Sequence, residues 1–215
     1  MRKKLKGTIS IIGGADGPTS IFIAGKTRKR SLSERIRSYG YRRRRSRTEK
    51  KIIANPHTLD EVVSYLQDKY GAVEVSKESH NYIVQKNDLK EAMILQHKPE
   101  LLGDMAVIAY PKGHDEKDIR EYFKCLQQQK ERAQNIPDDK FPMDFGLYRI
   151  EIAGVGELEV CIEKIWERFG VSCSGKQMKK LQRITRDIYA YYGVSKEDIE
   201  KRSERYTVLV TSLCS

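Results

Sequence analysis

Positive charge is confined to one end of this chain, and that confinement decides where a packed core can form. Residues 1–51 hold 17 Lys/Arg against three acids, Asp16, Glu34 and Glu49, for a net +14. Residues 52–215 hold 24 Lys/Arg against 27 acids, for a net −3, so the whole excess of +11 lies in the first quarter. Within it, residues 26–51 carry 13 Lys/Arg and two Glu, and their only large aliphatic side chains are Leu32 and Ile36. Ordering a backbone costs roughly 1–2 kcal/mol per residue, and such a segment has too little apolar surface to offset that. The composition therefore predicts a basic flexible arm over 26–51, helical only on contact, with the packed body starting near Ile52.

Bulk properties exclude several classes. No run of about 18–20 apolar residues occurs, so no standard spanning helix is expected. The apolar stretch 8–12 behind the basic start is too short for a secretory leader. Cys125, Cys161, Cys173 and Cys214 are widely spaced, and His57, His80, His97 and His114 are equally scattered. Reduced thiols, no disulfide framework, no metal site and no cofactor are the expectation.

The fold class predicted is α+β. Residues 1–25 read as a β-hairpin, in which the runs 8–12 and 20–24 flank a Gly-Gly-Ala-Asp-Gly-Pro turn. Residues 52–134 and 147–215 read as two α+β subdomains joined by a linker over 135–146, where Pro137 and Pro142 break the periodicity. In the first, Thr58 and Glu61 form a capping box ahead of the helical spacing Leu59, Val62, Val63, Leu66, Tyr70, and Gly71 is its stop. A strand at Val73 and Val75, a strand over 81–84, a helix over 88–97, a buried strand over 105–110 and a polar helix over 115–134 follow. In the second, the pattern predicts a strand over 147–153, helices over 157–169, 176–192 and 196–202, and a closing strand over 206–213.

Residues 11–22, IIGGADGPTSIF, resemble a signature of the β subunit of sodium-translocating decarboxylases, the membrane proteins of bacterial oxaloacetate and methylmalonyl-CoA decarboxylase complexes. In that family the segment lies at a broken point within the membrane, and its aspartate is implicated in binding the transported sodium ion. The resemblance implies that role for Asp16, since a carboxylate beside unwound carbonyls makes a hard-oxygen cation site. It covers about 20 of the 215 residues, and the rest of the chain does not resemble that membrane protein. Read from the residues alone, Asp16 is a turn residue accepting hydrogen bonds from nearby amides.

The candidate anion-binding residues are Arg28, Lys29, Arg30, Arg42, Arg43, Arg44, Arg45 and Arg47, with Tyr39 and Tyr41 as stacking groups beside the Arg run. Helix 176–192 adds a basic face through Lys176, Lys179, Lys180, Arg183 and Arg186. No catalytic constellation appears. Cys173 lacks a histidine partner in the sequence pattern, and Gly154-Val155-Gly156 lacks the lysine of a phosphate loop and reads as a strand-to-helix turn. The expectation is a soluble, non-enzymatic bacterial protein of the cytoplasm that binds nucleic acid, or another polyanion, through its Arg-rich arm. An anionic membrane surface is a second ligand for the same charge. The alternative is an accessory or degenerate relative of the decarboxylase β subunit that associates with membrane components.

Overall fold

The computed structural model describes residues 8–14, 17–24, 31–111 and 115–214. Helices and a four-stranded antiparallel sheet make the body α+β, as expected. At the N-terminal end, β1 (Thr8–Gly14) and β2 (Gly17–Ala24) pair antiparallel with Ile11 opposite Ile21, and the register shifts between Ile12 and Gly13. Among the described residues the longer helices are α1 (Leu32–Glu49), α2 (Leu59–Tyr70), α3 (His80–His97), α4 (Glu116–Gln134) and α5 (Met178–Tyr192). Two short ones close the chain, α6 (Lys196–Lys201) and α7 (Glu204–Cys214). The sheet runs in the order β3 (Val73–Glu74), β4 (Phe145–Ile152), β5 (Gly156–Glu163) and β6 (Arg168–Gly175).

Internal contacts divide the chain into two units that interleave in sequence, unlike the contiguous subdomains expected. One comprises residues 1–73, 149–160 and 171–215, and the other residues 74–148 and 161–170. Strands β4, β5 and β6 contribute residues to both.

In the first unit, α2 packs on α5, α5 on α7, and α7 on α1. Thr58 and Glu61 form the predicted capping box of α2, and Gly71 ends it in the left-handed region with φ of 64°. Val62 and Leu66 of α2, Leu181 and Ile188 of α5, and Leu209 and Val210 of α7 are buried. A polar cluster joins α2 to α5: Asp187 Oδ2 accepts hydrogen bonds from Tyr65, Tyr70 (2.6 Å) and Lys69 (2.8 Å). The Tyr65 ring lies flat on Tyr191, with centroids 3.8 Å apart, and Tyr191 lies on His57 at 4.0 Å. Where β4 turns into β5, a Cβ on Gly156 would sit 2.3 Å from the Ser174 carbonyl oxygen, and one on Gly175 2.5 Å from that of Val155. Both glycines also have φ near 150° (146° and 153°), so only glycine fits this crossing.

In the second unit, α3, α4 and a 3-10 helix (Pro99–Ala106) enclose Met93, Ile94, Leu102, Ala133, Ile136 and Phe141. Its three buried polar residues, among those described, are all paired. Lys90 donates to the Ile136 carbonyl at 2.5 Å, Gln129 donates to that of Met105, and Glu163 accepts the Asp144 and Trp166 amides at 2.6 Å each.

Several sequence expectations are corrected. Residues 32–49 form a helix, where composition predicted a flexible arm: Ser31 and Glu34 make a capping box, and one side of the helix packs on α7. Residues 81–84 lie within α3, which Ser79 starts by capping the Tyr82 amide, so no strand forms there. Residues 105–110 are not a buried strand; the 3-10 helix runs through Ala106, and Val107 is exposed. Residues 157–169 form strand β5, a turn and the start of β6 instead of a helix, because Leu158, Val160 and Ile162 are buried at every second position. Residues 206–213 are helical rather than a strand, with Tyr206, Leu209, Val210 and Cys214 buried at helical spacing. The segment 135–146 is no mere linker, since Ile136 and Phe141 are core residues and the Phe141 ring stacks on Trp166 at 4.7 Å.

Two outcomes follow. Phe141→Ala should destabilise the protein by about 3–5 kcal/mol, read as a lower urea midpoint with an unchanged slope. A linker residue would cost almost nothing. The second concerns pH. Burial pushes the Asp187 pKa upward, but the hydrogen bonds from Lys69, Tyr65 and Tyr70 outweigh it and hold the group below the ordinary aspartate value. A carboxylate depressed on folding stabilises above its unfolded pKa of about 3.9, and that stability is lost as pH falls through the lower folded value. Asp187→Asn should therefore lower the melting temperature at pH 7 and flatten its decline below about pH 5.

Candidate functional site

Helix α1 holds seven arginines and two glutamates, and no buried residue. Such a sequence repels itself, so its order needs particular causes. The Ser31 side chain accepts the Glu34 amide at 3.2 Å, while the Glu34 carboxylate accepts the Ser31 amide at 2.7 Å. Arginine is itself a good helix former, and an acid in the first turn with Arg47 in the last suits the helix dipole. Arg45 pairs with Glu49 one turn on at 2.9 Å, and that hydrogen bond raises the guanidinium pKa further.

The decisive tertiary contact comes from Arg44. Its Nη1 donates to the Cys214 carbonyl at 3.0 Å, at the C-terminal end of α7. Helix C-termini leave carbonyls without intrahelical donors and carry partial negative charge, so a guanidinium satisfies both. Ser38, Arg45, Thr48 and Glu49 are half-buried, and together they mark the inner side of α1.

The predicted anion-binding residues consequently separate by role. Arg44 and Arg45 are engaged in holding the helix, and Arg42 Nη2 lies 3.4 Å from the Ser38 hydroxyl. Arg43 and Arg47 are exposed, with no side-chain hydrogen bond or ion pair among the described residues, and Arg35 joins them. Spacings of four residues put Arg35, Tyr39, Arg43 and Arg47 along one ridge. Tyr39 belongs to this outer face and is 66% exposed. Tyr41, two positions on, points to the other side beside Arg45, so the two tyrosines do not form a common stacking platform. Arg28, Lys29, Arg30 and Asp16 lie outside the described residues.

A second cationic surface occupies the start of α5. Lys176, Lys179, Lys180 and Arg183, with Gln177 and Met178, line an open cavity of about 650 Å³, and no side chain caps the helix there. The remaining candidates dissolve into structure. Cys173 is a half-buried residue of β6, Gly154 lies in the β4–β5 turn beside the buried Val155, and Gly156 begins β5. Among the described residues no group of three His, Cys, Asp or Glu side chains is placed to hold a metal ion, and no helix is long and apolar enough to cross a membrane.

Sequence reasoning missed Arg35 as a surface cation and Arg205 as a structural one. Helical spacing from Arg43 would have found the first. No local signal marks the second, whose partners lie at residues 57, 192 and 193. No family model, curated protein or solved structure matches this chain.

Proposed function

We propose that this chain is a non-enzymatic, polyanion-binding protein of the bacterial cytoplasm, with nucleic acid as its leading ligand and the outer face of α1 as the contact surface. The observation that supports this best is the ridge of exposed guanidiniums at Arg35, Arg43 and Arg47, which lack carboxylate partners among the described residues. Cations already paired with acids gain little from a phosphate, whereas unpaired ones release condensed counterions when they bind it. The cationic start of α5 adds a further surface of the same sign. The reading that ties the chain to the decarboxylase β subunit rests on residues 11–22 alone.

The test is a salt titration. Wild type and an Arg35→Gln/Arg43→Gln/Arg47→Gln variant are titrated with labelled RNA, DNA and anionic vesicles at several salt concentrations. The variant should keep its helical circular dichroism, because none of the three makes a side-chain hydrogen bond or ion pair among the described residues and Gln is itself a good helix former. Its log–log salt slope should fall by roughly 0.7–0.9 for each of the three lost contacts, about 2–3 units in all. Arg44→Gln should act differently, loosening α1 and lowering thermal stability. A wild type that binds no nucleic acid at low salt would end this reading.

A further inference from the structure

We infer that the nucleic acid taken by α1 is single-stranded, with a base seated on Tyr39 and the flanking phosphates on Arg35 and Arg43. This rests on the polyanion reading above and narrows its ligand. At 1.5 Å per residue, the ridge Arg35–Tyr39–Arg43–Arg47 sets one side chain about every 6 Å over about 18 Å of helix. Its second member is aromatic, exposed, and without a ring or cation partner among the described residues. Ile36 (64% exposed) and Leu32 (72%) adjoin it at helical spacing, three and seven residues before. The surface therefore alternates cation, flat ring and cation, with aliphatic side chains beside the ring.

A double helix cannot use all of this. Its base faces are hidden in the stack, so a backbone-tracking helix would meet phosphate and sugar, leaving Tyr39, Ile36 and Leu32 wet or against charge. Unstacked bases offer the apolar faces that such a ring covers, and alternating phosphates and bases match alternating guanidinium and ring. A lipid surface fits less well. Interfacial helices separate their apolar and charged faces, whereas here the apolar side chains lie on the same face as Arg35 and Arg43, so insertion would bury guanidiniums. The ring is also preset, since Arg44 and the half-buried inner side fix the rotation of α1 against α7.

The experiment uses the full chain and fluorescence anisotropy, with oligouridine, oligothymidine, a duplex of equal phosphate number and phosphatidylserine vesicles. Wild type should prefer the single strands to the duplex by about tenfold or more. Tyr39→Ala should weaken single-strand binding by roughly 5- to 100-fold, the loss expected for one stacked base. It should leave duplex binding and the salt slope unchanged, while Tyr39→Trp restores affinity. Arg43→Gln should instead lower the slope on every nucleic acid. Equal binding to single strand and duplex, with Tyr39→Ala silent, overturns this inference and leaves the polyanion reading standing. Vesicle binding that exceeds oligonucleotide binding and depends on Tyr39 overturns it in favour of a membrane. No binding to any probe removes the reading beneath it.

Discussion

Arg205 is the fastening on which the first unit depends. Its Nε donates to the Gly193 carbonyl at 2.9 Å, its Nη2 to those of His57 at 2.9 Å and Tyr192 at 2.6 Å, and its guanidinium lies 3.7 Å over the Tyr192 ring. The same strip of backbone is tied a second time, by the Asn55 amide to Val194 and the His57 amide to Tyr192. One side chain of α7 thus collects carbonyls released at the end of α5 and from the segment entering α2. Buried or half-buried carbonyls without donors are costly, and a planar fork with five donors satisfies several of them at once. Helix α7, oriented in this way, presents its own last carbonyl to Arg44. The order of α1 is therefore inherited from a contact 170 residues away in sequence, between Arg44 and the α7 helix that Arg205 secures.

That dependence explains what could be read from the chain and what could not. Elements fixed by local chemistry were legible. The Thr58–Glu61 box and Gly71 delimit α2, Asp115 caps α4, and Ser195 with Asp198 starts α6 close to where the residue pattern places it. Failures arose where two periods fit one sequence. Leu158, Cys161, Ile162, Ile165 and Phe169 satisfy helical spacing, yet Leu158, Val160 and Ile162 satisfy strand alternation equally well. The strand forms because Gly154 and Gly156 turn the chain into it and Glu163, at its far end, binds the amides of Asp144 and Trp166. The run from Tyr206 onward is rich in β-branched residues, but Ser203 caps it by accepting the Tyr206 amide, and packing on α5 rewards the helical face. Tertiary context overrode propensity in both places.

The candidate site was legible as a composition and illegible as a surface. Counting charge finds the Arg run at positions 42–45, but it treats four neighbours as equivalent. Folding sends them around the helix, so that Arg44 reaches a carbonyl, Arg45 a carboxylate, and Arg43 the solvent. Tyr39 and Tyr41 look like a pair in the chain and lie on different sides of α1. Composition also erred about order itself, because the entropy cost of ordering residues 32–49 is met by a cap and by α7, neither of which an apolar count detects.

Helix α1 contains seven arginines and not one lysine. Guanidinium stays charged at every pH a cell reaches, so no proton switch can discharge this face. Lysine acetylation, the common enzymatic way to erase a positive charge, finds no acceptor anywhere on the helix. Methylation would keep the charge while blocking paired hydrogen bonds, which would blunt geometry and leave long-range attraction intact. The positive charge of such a surface is permanent, and only added negative charge or salt can screen it.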